Sequence, residues 1–322
     1  MRGSIRASGW HEAAMTEMDL SFKAAAASET GGELLDAAPA QPKIWRNILH
    51  HPGLMLGLVI LASLVILAAF APWISPYNPY DQQLPQRLLP PVWVHGGNAA
   101  HLLGTDHLGR DYLSRLIYGA RVSLLIGFGA ASIGCVIGVT LGMCAGFFGG
   151  IIDRIVSFIL TCQLALPGLL LAMALVFLIG PSVGVVICVI GFLHWSYYLV
   201  VTRAATQKIR DLEYITAARA IGSSRLQIMV TEILPNLFSE IIVIFSLEVG
   251  VAVLAEAALS FLGVGIQPPT SSWGLMIAEG KVSVFLRPWL VILPGMFIFL
   301  LVLAANLVGD GLRDLMSNES RR

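Results

Sequence analysis

Charge is what this chain has least of. Asp, Glu, Lys and Arg make up 12% of its 322 residues, about half of what a soluble domain carries. The 20 basic and 20 acidic residues cancel, and no dense basic patch exists to suggest a nucleic-acid partner. Cysteine is as sparse. Cys135, Cys144, Cys162 and Cys188 all fall inside apolar runs without a C-x-x-C pair, so they read as small buried hydrophobes rather than disulfides or metal ligands.

Catalytic constellations are missing too. No G-x-x-x-x-G-K-[ST] occurs, so the chain does not itself cradle ATP phosphates; Gly280-Lys281 is the nearest fragment and lacks both the first glycine and the hydroxyl. No H-E-x-x-H occurs, and no nucleophile is paired with a base. The expectation is a protein that is not an enzyme and binds no cofactor or metal. The first residues lack the apolar core and cleavage site of a signal peptide.

What the chain has instead is apolar length. Hydrophobic residues are 56% of it, and the mean hydropathy is +0.78, values of a polytopic membrane protein. Six runs reach spanning length: 53–74, 122–148, 155–179, 183–201, 237–264 and 289–308. This predicts an all-α membrane protein with six transmembrane helices and both termini on one side. With that side inside, fourteen of the 20 Lys and Arg fall inside and six outside, which makes the termini cytoplasmic. Residues 1–42, rich in Ala, Ser, Glu and Gly, read as a disordered tail, with Met15 and Met18 as alternative starts. Residues 43–120 hold a basic lead-in, the first span and a polar loop; 121–315 form the core, and 316–322 a short tail.

Within the spans, Gly127, Gly134, Gly138, Gly142 and Gly146 give a small-xxx-small pattern suited to close helix packing. Pro167-Gly168 breaks the third run, either as a kink lining a cavity or as a structural kink. His194 reads as a packing or interhelical hydrogen-bond residue rather than a ligand. Glu240, Glu248 and Glu256 recur every eight residues, each step turning the helix by about 80°, so they share no face. Glu240 is near enough to the inner end to be solvated. Glu248 lies nearest the midplane, where a carboxylate is costly unless paired or wet; a pathway role and a structural hydrogen bond both remain open.

The most informative stretch is a polar island at 211–236. Asp211 is placed to cap a first helix whose apolar face is Tyr214, Ala217, Ala218 and Ile221. Gly222 supplies a stop. Ser224 and Gln227 read as a capping box for a second short helix, with Leu226, Met229, Val230 and Ile233 as its stripe and Pro235 at its end. Two short amphipathic helices hinged at a glycine look like a docking element.

The spacing of Ala217-Ala218, Gly222 and Leu234-Pro235 resembles the "EAA" loop of ATP-binding-cassette importer permeases. Thr216 stands where that motif has glutamate, with Glu213 nearby, and Glu232 stands where isoleucine is common. The segment 101–123 is similar to the stretch before the core in peptide-type permeases, with Gly104, Thr105, Asp106, Gly109, Arg110 and Asp111 as its G-T-D-x-x-G-R-D element. Asp106 and Asp111 flank Arg110, enough for a compact ion-paired turn. The EAALSFLGVG run from Glu256, the Ser272-Trp273-Gly274 that follows, and NLVGDGLRD from Asn306 extend the resemblance over about 50–315.

On these motifs the chain is identified as a member of the dipeptide, oligopeptide and nickel importer family, as the C-type permease of its pair. The resemblance implies the type I importer permease fold in a bacterial inner membrane. It implies ATPase docking by Glu213, Tyr214, Ala217, Ala218, Arg219, Ala220, Gly222, Ser223, Leu234 and Pro235, with ATP held on partner subunits. Implied partners are a second homologous permease, one or two cytoplasmic ATPase subunits, an extracytoplasmic substrate-binding protein and membrane lipid. Glu248, Glu256 and Pro167 are the candidate pathway residues. Peptide is the expected cargo, with nickel or another small solute as the alternative. A proton- or ion-coupled secondary transporter using Glu248 and Glu256 is the rival class, though no convincing inverted repeat is present.

Overall fold

A computed structural model describes residues 51–319. The N-terminal tail at 1–42, nearly all of the basic lead-in and the last residues of the C-terminal tail lie outside the described residues. Helix α1 (Pro52–Ala69) starts where the His51 ring accepts from Leu54 N at 3.2 Å and Pro52 takes the first turn, which needs no N–H. The expected run to residue 74 is interrupted at Phe70, and only a four-residue turn, Ala71–Ile74, follows. Pro72 accounts for the break, since it has no N–H to continue the ladder.

After a loop with one short 3-10 turn, Asp111 caps α2 (Tyr112–Phe148), its carboxylate accepting from Ser114 N at 2.8 Å. This helix begins ten residues before the apolar run read from the sequence. Its first turns are held by tertiary partners instead: Tyr112 donates its OH to Leu290 O (2.6 Å), and Trp273 Nε1 donates to Leu116 O (3.0 Å). The glycine pattern packs as read. Gly138, Gly142 and Gly146 lie against Trp195 and Tyr198, Thr202 and Leu199, and Arg203 and Thr206, where an added Cβ would collide with backbone or side chain.

Helices α3 (Gly150–Leu164) and α4 (Gly168–Ile179) are bent by 86° at the Pro167 break. Then come α5 (Val183–Leu193) and α6 (Trp195–Arg210), joined at a second break at His194. The polar island begins with α7 (Glu213–Ala220) and runs into α8 (Arg225–Phe261), which is 37 residues long. Helix α9 (Trp273–Gly280) and α10 (Trp289–Glu319) complete the chain. Five stretches are long and apolar enough to cross a membrane, and the bent α3–α4 pair makes six if it counts as one span. The third expected span is therefore not a straight helix.

Helix α2 is the axis of the fold. It packs most extensively on α6, and also on α8, α5 and α1. One apolar core, at the start of α2, joins Tyr112, Leu116, Leu124, Trp273, Leu290 and Leu301. Another, at the opposite end of α2, joins Met143, Phe147, Tyr198, Ile215, Ile228 and Ile233, so the polar island is seated on the membrane body.

Candidate functional site

The polar island is built differently from its sequence pattern in three respects. Asp211 does not cap α7; the cap is Leu212 in an extended conformation, and Asp211 instead accepts from Arg210 Nε at 3.1 Å. Asp211 still carries near-helical angles at the end of α6 and so cannot take the extended cap geometry. The expected apolar face is turned outward. Tyr214 and Ala217 are exposed and Ile221 is 85% exposed, while the residue that packs inward is Ile215. Finally, no second short helix ends at Pro235. Ser224 does cap, accepting from Gln227 N at 3.2 Å, but the helix continues through a π-helical segment, Ile228–Ile233, directly into the fifth span. The wider π turn leaves room for the Pro235 ring, which an α turn would press against the carbonyl four residues back.

Gly222 behaves as read, with φ of +90° and Ser223 N donating to Ala218 O at 3.1 Å. Glu213, Ala220, Arg219 and Pro235 are exposed, and Ala218, Ser223 and Leu234 are half-buried. The result is an exposed surface of Tyr214, Ala217, Ile221, Leu226 and Val230 on a firmly seated base of Ile215, Ile228, Met229 and Ile233. Arg219 lies over the Phe147 ring at 5.2 Å.

At the opposite end of the bundle the G-T-D-x-x-G-R-D element folds as a compact turn, with a different pairing from the one expected. Asp106 receives Arg110 Nε at 2.6 Å and Arg115 Nη1 at 2.5 Å, and both arginines also meet Glu279. Asp111 takes no part; it caps α2 and bonds to His101 Nδ1 at 2.9 Å. Gly109 is left-handed (φ +74°) because its backbone runs against Gln83, and Gly104 accepts from Tyr112 N at 3.0 Å. Thr105 bridges Leu89 N and Gln86 O. Burial alone would raise the Asp106 carboxyl, but Arg115, Arg110 and the Arg110 N–H outweigh it and hold it below the ordinary carboxylate range. Arg115 and Glu279 were not read from the sequence as partners. Arg115 gave a signal, as a cation near a membrane end on the side where cations are scarce.

The intramembrane acids are both bonded. Glu256 is fully buried and accepts from Ser260 Oγ (2.7 Å) and Ser272 Oγ (2.8 Å), with Gly274 packed against it. Two motif pieces separated in sequence thus meet at one carboxylate, which ties α8 to the start of α9. Glu248 pairs with His194 Nδ1 at 2.7 Å. The two lie on different spans, and neither was read from the sequence as the other's partner. His194 sits at the α5–α6 break, and Gln163 Nε2, beside the α3–α4 break, donates to Leu193 O at 2.5 Å. The two breaks border one cavity of about 460 Å³. Pro167 is exposed and marks its edge, while Glu248 lies behind the His194 ring.

Comparison with known proteins places this architecture. The profile for "Binding-protein-dependent transport system inner membrane component" matches residues 138–322, and that for the "N-terminal TM domain of oligopeptide transport permease C" matches 43–91. The chain is 43% identical over 274 residues to the di/tripeptide transport system permease protein DppC of Pseudomonas aeruginosa, covering 85% of this chain and 90% of that one. It is 44% identical to the dipeptide transport system permease protein DppC of Escherichia coli, at 85% and 91% coverage. It is 38% identical to the glutathione transport system permease protein GsiD of Pectobacterium atrosepticum, at 85% and 89% coverage. Among solved structures, the inward-facing MetNI methionine ABC transporter is similar in fold, with a TM-score of 0.51 at 20% identity over 64% of this chain and 96% of that one. With apolar helices of spanning length, a polar element seated at one end of them and relatives matched over most of both chains, this chain belongs to the binding-protein-dependent transport system inner membrane components, as a multi-pass permease of the C type.

Proposed function

We propose that the chain is one of two permease subunits in an importer of short peptides driven by ATP hydrolysis on separate subunits. The cargo follows from the relatives, whose names read dipeptide, di/tripeptide and glutathione. The observation that carries the coupling half is the outward-turned apolar surface of α7 and the start of α8, with Ile221 85% and Leu226 71% exposed on a base of buried isoleucines. An apolar patch rimmed by polar residues marks an interaction site. A cytoplasmic ATPase fits it, because the element lies at the end that carries Arg203, Arg210, Arg219 and Arg225. Movement of this seat would pass straight into α8 and open the cavity alternately to either side. An extracytoplasmic binding protein would deliver cargo at the opposite end.

The test is Gly222→Leu. A Cβ at Gly222 meets nothing within 4 Å, so the membrane body is not disturbed by packing, but the left-handed backbone costs a residue with a Cβ about 1 kcal/mol. The expected result in the purified complex is loss of ATPase subunit and of peptide uptake, with the two permeases still paired. Full ATPase retention with normal uptake would refute docking at this element.

A further inference from the structure

The cavity between the two helix breaks has a specific polar chemistry. Its volume of about 460 Å³ lies in the range of small-molecule sites, about 300–1,000 Å³. Leu166, Leu169, Ala172 and Val251 give it apolar walls, and Gln163 and His194 stand at the breaks. Irregular backbone at membrane depth is tolerated where it is buried in protein or lines a cavity, and here two such breaks face the same space.

Gln163 and His194 each have one atom already used, while the hydroxyls of Ser196 and Tyr197, which also line the cavity, can donate or accept. Gln163 Nε2 is spent on Leu193 O, which leaves Oε1 buried without a partner. His194 Nδ1 is spent on Glu248, which does not itself line the cavity. In the neutral ring, a carboxylate acceptor places the proton on Nδ1 and leaves Nε2 to accept. Of the two unspent atoms, Gln163 Oε1 is enclosed, and His194 Nε2 is an acceptor with a carboxylate behind it. Such a wall suits a ligand that donates N–H bonds and carries positive charge. Two neutral donor atoms are too few to hold a divalent cation, which takes four or more ligands.

Resting on the function proposed above, we propose that this cavity holds the amino end of the peptide during its passage, with His194 Nε2 as its hydrogen-bond acceptor and Glu248 as the charge that favours an ammonium group. His194 is then a specificity-determining residue and Glu248 its positioning residue.

The experiment uses the complete transporter in proteoliposomes, with di- and tripeptides whose amino end is free or acetylated. In His194→Asn the side-chain amide nitrogen takes the place of Nδ1 opposite Glu248, and the atom at Nε2 is removed. The expected result is an apparent KM about tenfold higher for free peptides, the loss of one hydrogen bond to a charged group, with acetylated peptides unchanged. The same binding protein serves every arm, so its own preference cancels in the ratio of variant to unaltered complex. Equal effects on free and acetylated peptides, or none, would overturn the proposal. The second variant, Gly168→Leu, does not depend on the blocked peptide. A Cβ there meets nothing within 4 Å, so the leucine enters the cavity without strain, and tripeptide uptake should fall more than dipeptide uptake. Unchanged uptake of both would count against the cavity, as would loss of the second permease, which would make it a packing surface. No peptide uptake by the unaltered complex would be a separate outcome, overturning the cargo assignment together with this subsite.

Discussion

At the scale of residues, Asp106 does more than any other single group for the outer end. Its carboxylate is buried against two guanidinium groups, and Glu279 balances the second charge. Asp106→Asn leaves buried positive charge uncompensated, so the outer end should lose about 3–5 kcal/mol, read as a lower melting temperature and faster amide exchange in residues 84–115. Because the folded carboxyl lies below its ordinary value of 3.8, its contribution is complete above that value and is lost as pH falls through the depressed one. Melting in detergent should therefore show an acid limb below about pH 4 that Asp106→Asn diminishes. Glu248→Gln keeps the shape and a hydrogen bond to His194 but removes the charge behind the ring. The expected outcome is normal assembly with reduced uptake; a wild-type rate would make the pair a structural bond alone.

At the scale of elements, the π-helical segment at Ile228–Ile233 joins the exposed apolar surface of the polar island to the fifth span without a hinge. Removing the exposed Val230 would let the turn close to α geometry and rotate everything before it by about 100°. The membrane body should remain folded while ATPase retention and uptake are lost, measured on the purified assembly. Normal uptake would show that the register of α7 on α8 is immaterial. The contact of α2 with α6 makes an opposite expectation. Gly138→Leu places its side chain against Trp195 and Tyr198, so folded protein should fall sharply on extraction, whereas Gly184→Leu, with open space at its Cβ, should be tolerated.

At the scale of the molecule, the charges on the expected outer side explain themselves. Arg110 and Arg115 are buried in ion pairs, and Arg121, Lys281 and Arg287 lie over the rings of Tyr118, Phe261 and Trp289. After removal of the native cysteines, Ser223→Cys should react with an impermeant thiol reagent only in inverted vesicles, and Asn98→Cys only from outside. The reverse pattern would overturn the orientation and the site proposed for the ATPase.

The sequence by itself determined the class of this protein, because apolar length is a local property: five of the six spans are legible as runs, and the glycine spacing on α2 foretells its packing. It also determined Ser224 as a cap and Gly222 as a left-handed stop, each a matter of a few neighbouring residues. Tertiary structure alone decided which face of α7 is buried, since Ile215 finds Met143 and Ile233 in the same core while the more regular stripe of Tyr214, Ala217 and Ile221 is left outside. It alone joined α8 across Pro235, where a local rule predicts an end. It also chose the partners of the buried charges. Arg115 and Glu279 are 164 positions apart and His194 and Glu248 are 54 apart, and no periodicity within a helix encodes a pairing between helices. Such pairs form because a charge inside the membrane or the core must find its counterpart wherever the packing brings one.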